Sequence, residues 1–285
     1  AISNSASAVD YRLEYEKKVR SSQDVAALGD DIAGDKVNYL NGRVSFYVTD
    51  ISLPGNNSLP VALSRSYDVD FENWGASYFA DWELDLPYIS ATMMDGTKWQ
   101  VDSTHPFERC SVGDDNNAAN TAPATGAPPT VILINDGPGG SDLNSHFYPF
   151  EYWHGYQLHL PGGASQTLLR PSSDPKVKRP MTSEVYHWNT NQDWWFSCTP
   201  ASAAAGNGEG FKAISPDGTI YTFGFLTERI AEPVARTAEL SDGQQVQTHD
   251  YVEDRVEYRL YVTSIEDRFH NKVIYDWQGG RLNAI

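Results

Sequence analysis

The sequence predicts a mostly β fold of antiparallel hairpins, arranged as a β-sandwich or as a sheet wrapped around a shared core, with a short helix near the N-terminus. Aromatic residues form 12% of the chain and are accompanied by 22 glycines and 16 prolines, a composition typical of strands and turns. Short apolar runs, many of them alternating with polar residues, are separated by Gly, Asn, Asp and Pro along most of the 285 residues. Half-buried strands joined by tight turns produce this pattern.

A helical pattern is confined to the N-terminal segment, residues 1–28, which we predict to be helical or irregular. Within residues 10–28, Glu14 precedes Lys18 by four positions, which favours an ion pair on a helix surface. The apolar residues of this segment do not form a continuous stripe along one side of a helix. We therefore expect a short helix at the periphery of the protein.

Strand signals start at residue 29 and continue to residue 261, and we predict residues 29–261 to be one β-rich domain. Asn41-Gly42 is the strongest short-range hairpin signal, because both residues tolerate the positive φ of a two-residue turn. Residues 43–51 then alternate between apolar and polar side chains. An antiparallel hairpin is therefore expected around this turn.

Two separate stretches share a turn motif followed by an aromatic residue. Residues 93–101 are MMDGTKWQV and residues 215–223 are SPDGTIYTF, so that Trp99 corresponds to Tyr221. Glycine adopts positive φ at little steric cost, and aspartate caps the turn with its side chain. We therefore predict an approximate internal duplication of one hairpin unit.

Composition limits the partners of the protein. Its formal net charge of −17 argues against nucleic acid, because few cations are available to replace the counterions of phosphates, and against anionic membrane surfaces. No run of about 18 apolar residues is present, so no membrane insertion is expected. The first ten residues, AISNSASAVD, lack the charged start and apolar core of an intact signal peptide, and a processed site and an arbitrary start both fit them.

Motifs for catalysis or metal binding are missing from the sequence. The seven histidines form no metal-binding pair, and His154 and His159, five residues apart, point to opposite faces of a strand. The acidic pair Asp114-Asp115 is not followed by the pattern of a calcium-binding loop. We therefore predict no catalytic residue, no metal and no cofactor; calcium stays an alternative that no motif supports.

The chain has two cysteines, Cys110 and Cys198, and their spacing fits no metal motif. A disulfide between them is possible if the protein is exported. Two buried free thiols are the alternative, and the sequence alone leaves both interpretations open.

Residues 262–285 form a unit with a distinct sequence pattern, in which two strand-like runs are separated by a polar break. Alternation is expected to place Val262 and Ile265 on opposite faces of a strand, and after a polar break a second run leads to Tyr275-Asp276. This unit resembles the YD repeat of large bacterial Rhs proteins, in which an aromatic–Asp pair closes each strand unit.

A second stretch, GDKVNYLNGRVSFYVTDISLPGNNSLPVALSRSYD, resembles the entry module that precedes the repeats in many Rhs proteins. That module has a strand after an Asn-Gly-like turn, then a Pro-Gly turn and a strand that ends in Arg-x-Tyr. Its positions are filled here by Asp50, Pro54, Gly55, Leu59, Pro60, Leu63, Arg65 and Tyr67. The last unit departs from the repeat pattern at His270, where the repeat usually has glycine.

The resemblance implies an architectural role. In this family the repeats wrap into a hollow β shell around a C-terminal effector, often a toxin. Residues 29–261 would then be an entry domain and residues 262–285 the start of the repeat region. The chain would be a non-catalytic structural module that initiates or caps the shell, with the remaining repeats and the enclosed effector as partners. The protein would be exported from a bacterium or held at its surface.

Aromatic side chains support an alternative function. Flat rings bury large area at low entropy cost, so a cluster of them on a surface would stack on sugars in a carbohydrate-binding module. The candidate rings are Tyr152, Trp153, Tyr156, Trp188 and Trp194. The competing interpretation is that these rings fill the core of a large β protein. A glycan-cleaving enzyme is a further alternative, and it would need paired carboxylates about 5 to 10 Å apart in a cleft.

Overall fold

The structure is a computed structural model, and it confirms the mostly β, antiparallel fold class. It describes residues 35–38, 43–55, 59, 61–68, 82–95, 99, 108–111, 130–133, 143–146, 153–162, 165–174, 176–241 and 246–285. These residues contain strands and no helix. The helix predicted within residues 10–28 lies outside them. No helix in the described part of the chain has the length and apolarity that a membrane crossing requires.

Seventeen strands form four antiparallel sheets within the described residues. In chain order they are β1 (Asp35–Asn38), β2 (Arg43–Leu53), β3 (Val61–Asp68), β4 (Glu83–Leu84), β5 (Tyr88–Met94), β6 (Thr130–Leu133), β7 (Leu143–His146), β8 (Gln157–His159), β9 (Gln166–Thr167), β10 (Trp188–Asn189), β11 (Trp195–Ser202), β12 (Gly208–Ile214), β13 (Ile220–Ser241), β14 (Val246–Glu266), β15 (Lys272–Ile274), β16 (Asp276–Gln278) and β17 (Arg281–Ala284). Two of the sheets are the small hairpins β6–β7 and β16–β17.

The first large sheet has the order β1-β2-β3-β4, so consecutive strands are neighbours. Asn38 pairs with Arg43 across β1 and β2, so the expected hairpin is present. Four residues, 39–42, separate the paired ends, whereas a two-residue turn at Asn41-Gly42 would pair residue 40 with Arg43; the turn residues themselves lie outside the described part. Asp50 is the extra residue of a bulge in β2, and its carboxylate accepts two hydrogen bonds from Arg65 at 2.6 and 2.7 Å. A bulge re-aims a side chain, and here it directs Asp50 to the guanidinium of β3.

The second large sheet curls into a half-barrel with the order β10-β11-β12-β13-β14-β5-β8-β9, and β15 adds to β14. Its two ends meet, because Leu169, just after β9, exchanges two backbone hydrogen bonds with Asn189 of β10 at 2.7 and 2.9 Å. Beside this bridge the Thr190 hydroxyl donates to the Gln166 side chain at 2.8 Å. Joining the ends protects backbone groups that an open sheet would leave unpaired at its edges.

The inner face of the half-barrel holds the core. Alternate residues of β5, namely Ile89, Ala91 and Met93, are buried there, as alternation along a strand requires. Fully buried side chains from the neighbouring strands meet them: Leu158, Phe196, Phe211, Phe223, Leu260 and Val262. Each such side chain contributes about 2 kcal/mol through removal of its apolar surface from water.

Strands β13 and β14 form a hairpin far longer than an average strand pair, with 22 and 21 residues. Residues 255–261 of β14 also pair with β5, and the last of these pairs is Arg255 with Met94. Beyond that point the two strands continue as a ribbon to the pair Ser241 and Val246. Val252 is exposed on this ribbon, and Ile230, which pairs with Val256 just before the ribbon begins, is also exposed.

Two compensating bulges interrupt the β13–β14 ladder near its base. Thr263 is the extra residue on β14, and Gly224 is the extra residue on β13. The bulge at Thr263 turns the strand, so Val262 and Ile265 are both buried instead of facing opposite sides. The alternation expected from the sequence was therefore wrong at this point, because a period of two assumes an unbroken ladder.

The second Asp-Gly-Thr motif forms the turn between β12 and β13. Gly218 has φ of +87°, a conformation that suits glycine, and the Thr219 amide donates to the Asp217 carboxylate at 3.1 Å. The amide of Ser215 donates to the carbonyl of Thr219 and closes the loop. Most of the first copy of the motif lies outside the described residues, so the proposed duplication stays a prediction.

Candidate functional site

A cluster of aromatic rings centred on Tyr156 fills one region of the half-barrel. Its ring lies 4.9 Å from that of Trp188, 5.0 Å from Trp153, 5.4 Å from Trp99 and 5.6 Å from Phe211, measured between centroids. Most of these contacts are edge-on or tilted, the arrangements that aromatic pairs favour. The cluster is thus a packed part of the core.

The rings predicted from the sequence to stack on sugars lie mainly inside this core. Tyr156, Trp188 and Trp194 are 3, 7 and 7% exposed, and Trp153 is partly buried with its ring edge-on to Tyr156. Tyr152 lies outside the described residues. The three buried rings offer no open face to a ligand, because neighbouring core side chains surround them.

Residues 108–111 are held beside this cluster by a disulfide. Cys110 and Cys198 form the bond and tie the segment to β11. The carboxylate of Glu209 accepts hydrogen bonds from the amides of Cys110 and Ser111 at 3.0 and 2.8 Å, and from the Ser111 hydroxyl at 2.8 Å. The indole of Trp188 donates to the Cys110 carbonyl at 2.9 Å. The segment is therefore fixed by side chains and by a covalent bond.

The two sulfurs and a Glu209 oxygen lie within 4.8 Å of one another, which places three potential metal ligands together. Metal binding by cysteine requires a thiolate, and in the disulfide neither sulfur is one. The Glu209 carboxylate already accepts three hydrogen bonds. In the oxidised form, Cys110, Cys198 and Glu209 therefore have a structural role, since they hold the segment in place.

Arg109 places a charge in the core. Its side chain is 2% exposed and its guanidinium carbon lies 5.0 Å from the ring of Trp99. A β-carbon at Gly208 would fall 1.9 Å from Arg109 Nη2, so only glycine leaves room for the guanidinium. Burial lowers the pKa of Arg109 to about 10, and its Nε and Nη1 atoms have no hydrogen-bond partner among the residues that the structure describes. Such donors are chemically suited to a carboxylate or phosphate oxygen.

A second charged cluster lies on the outer face of the half-barrel, around Arg259. Its guanidinium donates to Glu83 at 2.6 Å and to Glu257 at 2.9 Å, and it lies 4.5 Å from the Tyr88 ring. Glu83 also pairs with Arg229. Because Glu83 belongs to β4, these ion pairs join the first sheet to β13 and β14 of the second. We refer to Glu83, Arg229, Glu257 and Arg259 as the outer ion network.

The carboxyl groups of the outer ion network are held in their charged form. Burial alone would raise the pKa of Glu83, but attraction to Arg259 and then to Arg229 outweighs it, and the pKa lies below its ordinary value. The pKa of Glu257 is lowered in the same way, with Arg259 outweighing burial. A general acid needs a raised pKa, so neither group is suited to donate a proton in glycan cleavage.

Beside the network, Ser90 and His159 stand in the relation of a nucleophile and its base. The Ser90 hydroxyl lies 2.8 Å from His159 Nε2, and the Ser165 hydroxyl lies 2.8 Å from His159 Nδ1. Ser90 is only 4% exposed, and β5 is hydrogen-bonded on both sides at this point, which commits its amides to the sheet. The amides of β5 are therefore not available to an oxyanion at Ser90, and within the described residues the pair is better explained as a structural contact.

The last strands pack on the base of the long hairpin. The Trp277 ring stacks on Phe225 with centroids 4.5 Å apart, and its indole donates to the Val262 carbonyl at 2.9 Å. Tyr275 is buried, and its amide donates to the carbonyl of the bulge residue Thr263 at 2.9 Å. The Tyr275-Asp276 pair thus connects β15, which belongs to the half-barrel, with the separate hairpin β16–β17.

The turn before β15 places His270 in an unusual backbone conformation. Asp267 accepts hydrogen bonds from the amides of Phe269 and Asn271 at 2.8 and 2.9 Å, which closes the turn. His270 has φ of +65°, in the region that favours glycine. Glycine adopts this backbone conformation with less strain than histidine does.

Sequence reasoning missed the two arginines that organise these clusters. Arg259 contacts Glu83 from 176 positions away, and Arg109 depends on Trp99 and Gly208 in other elements. Neither arginine stands in a motif, so no local signal announces it. An arginine flanked by apolar strand residues, as in Tyr258-Arg259-Leu260, is the single hint that the sequence offers.

We expect Glu83→Gln to lower the free energy of unfolding by about 2–3 kcal/mol at pH 7, because Arg229 loses its partner and Arg259 keeps only Glu257. The lowered carboxyl pKa values stabilise the fold above the unfolded pKa, near 4.5, and this stabilisation is lost as pH falls through the folded pKa. Urea unfolding at pH 7 and below pH 4.5 measures both effects. Glu228→Gln on β13 is the control, and equal losses in the two variants would contradict the expectation.

His270 allows a matched test of the turn. We expect His270→Gly to be more stable than His270→Ala by about 1 kcal/mol, because alanine is strained at positive φ whereas glycine is not. Both variants lose the contact of the imidazole with Glu266, so their difference isolates the backbone. At the exposed strand position Ile274 the order should reverse, with alanine above glycine. Thermal unfolding of the four variants gives the comparison, and the same order at both positions would refute it.

Compared with known proteins, the chain matches no protein-family model, no curated protein and no solved structure. Its function is therefore argued from its own residues and geometry.

Proposed function

We propose that this chain is a non-catalytic structural module of a bacterial Rhs or YD-repeat protein, and that it initiates or caps a β shell around a C-terminal effector or toxin. The protein is exported or held at the cell surface in this proposal, and its partners are the remaining repeats and the enclosed effector. No cofactor or metal takes part.

The observation that carries the proposal is the way the Tyr-Asp unit docks. Trp277 and Tyr275 attach it to the half-barrel through ring stacking and two hydrogen bonds to β14. The hairpin β16–β17 that follows is not part of the large sheet, and among the described residues β17 pairs only with β16. An edge strand with an open side accepts a further strand, which is how hairpin repeats add to one another.

The character of the two charged clusters also favours a structural role. The outer ion network joins two sheets, and the Cys110–Cys198 disulfide with Glu209 fixes a segment against the core. All described carboxyl groups whose pKa departs clearly from the ordinary value have it lowered: Glu83, Glu184, Asp217 and Glu257. Salt bridges and hydrogen bonds within the chain thus hold these four acids in their charged form, which suits a structural role.

A carbohydrate-binding module is the second hypothesis, and it has less support. Three of its five candidate rings are buried in the core. Sugar stacking would have to use Trp153, Tyr152 or other rings outside the core. A glycan array with the folded protein distinguishes the two hypotheses, because specific binding to one class of glycan is expected only of the second.

The proposal predicts that the gene encodes further Tyr-Asp units in frame after Ile285, and that they cover β17. In a chain extended by these units, the outward-facing amides of Arg281–Ala284 should exchange hydrogen at least about 10-fold more slowly than in residues 1–285. Amides of residues 176–183, which belong to no strand, serve as the control and should exchange equally in both. A reading frame without such units, or unchanged exchange of β17, would contradict the proposal.

A further inference from the structure

A long loop leaves the half-barrel where its two ends meet. The two ends of the loop are held together by the Leu169–Asn189 bridge, and the Arg170 guanidinium lies 3.6 Å from the ring centre of Trp188. Arg170 also donates to the carbonyl of His187 at 3.2 Å. We call residues 171–186 the basic loop. Because both of its ends are anchored to the sheet, the loop itself contributes little to closing the half-barrel.

The backbone of the basic loop is bound only to itself. The amide of Val177 donates to the carbonyl of Asp174, and the amide of Thr182 donates to that of Pro180, both at 3.0 Å. These are the backbone–backbone hydrogen bonds of the loop within the described residues. Met181 is fully exposed. Near the end of the loop, Glu184 accepts a hydrogen bond from the Ser197 hydroxyl of β11 at 2.5 Å and pairs with Lys212 of β12, so this end is attached to the sheet. Among the described residues, opening positions 171–183 breaks no hydrogen bond to a strand, and such segments open at low free-energy cost.

Basic residues are concentrated on this loop. Lys176, Lys178 and Arg179 are all exposed and lie within four positions of a chain whose net charge is −17. Pro180 follows Arg179 in the sequence. Endoproteases specific for basic residues do not cut a peptide bond that precedes proline. The bonds after Lys176 and Lys178 are followed by valine and arginine, which permit cleavage.

The disulfide spans this loop. Cys110 precedes the basic loop and Cys198 follows it, so a cut within the loop leaves the two pieces covalently joined. The Leu169–Asn189 bridge and the Arg170–Trp188 contact lie on opposite sides of the cut and hold the pieces together in the folded state. Cys110 is completely buried, which protects the bond from reductants while the protein is folded.

We propose that the basic loop is a proteolytic processing site for an endoprotease specific for basic residues, and that processing yields a two-chain protein joined by the Cys110–Cys198 disulfide. Hydrolysis consumes one water for each bond cut, and leaves a carboxylate on Lys176 or Lys178 and an amino group on Val177 or Arg179. This inference is independent of the proposed function, because it depends only on the loop and the disulfide.

Limited digestion with a lysine-specific endoproteinase tests the site. New amino termini, identified by mass spectrometry, should appear at Val177 and Arg179 at least about 100-fold faster than after Lys212, which lies on a strand paired on both sides. The two pieces should stay together without reductant, and they should separate only when the protein is both denatured and reduced. The melting temperature of the cut protein should remain close to that of the intact chain.

The double variant Lys176→Arg/Lys178→Arg is the matched control. It keeps both charges, should resist the lysine-specific enzyme at the loop, and should still be cut there by trypsin. The same analysis of the protein recovered from the cells that naturally produce it completes the test, and two pieces after reduction are expected. A loop that is cut no faster than Lys212, pieces that separate without reductant, or an intact natural chain would each overturn the proposal.

Discussion

The pairing of β14 is the constraint on which the rest of the structure depends. Its residues 255–261 are hydrogen-bonded to β13 on one side and to β5 on the other, so the backbone groups along both edges are paired. Adjacent residues of β14 serve the two faces in turn. Leu260 points into the core with no exposure, and Arg259 points outward into the ion network with 8% exposure. A charged side chain is nearly buried there because Glu83 and Glu257 accept its hydrogen bonds.

The bulges at the base of the long hairpin make a place for the C-terminal unit. In a regular ladder the carbonyls of Val262 and Thr263 would point alternately toward β13 and away from it. With the bulges, the Val262 carbonyl receives the indole of Trp277, and the Thr263 carbonyl receives the amide of Tyr275. The Val262 amide donates to Pro87 in the connection before β5. At this irregularity β14 is thus hydrogen-bonded to three parts of the chain other than β13.

Local chemistry made much of the fold predictable. The β-rich class follows from alternation and turn residues, and the turn at residues 215–219 formed with the glycine and aspartate in the roles that their side chains suggest. These features depend on a few consecutive residues, so they can be inferred without knowing what packs against them.

Features that depend on distant residues could not be predicted. The ion pair of Glu83 and Arg259, the bridge of Leu169 and Asn189, and the burial of Arg109 all join elements that the sequence keeps apart. Alternation failed at Thr263 for a related reason, because a bulge is set by the partner strand. Aromatic residues raised a further difficulty, since a ring in a sequence suits a core and a binding surface equally well.

The polar atoms of the buried rings decide between those two roles. Residues 109–111 run beside the core without joining a strand, so their backbone groups need partners from side chains. The hydroxyl of Tyr156 donates to the Arg109 carbonyl at 2.8 Å, and the indole of Trp188 donates to the Cys110 carbonyl. A tyrosine or tryptophan on a sugar-binding surface keeps its polar atom for the ligand, whereas these two use theirs to fix a segment of their own chain. Their placement is therefore explained by the architecture of the half-barrel, and no ligand is needed to account for it.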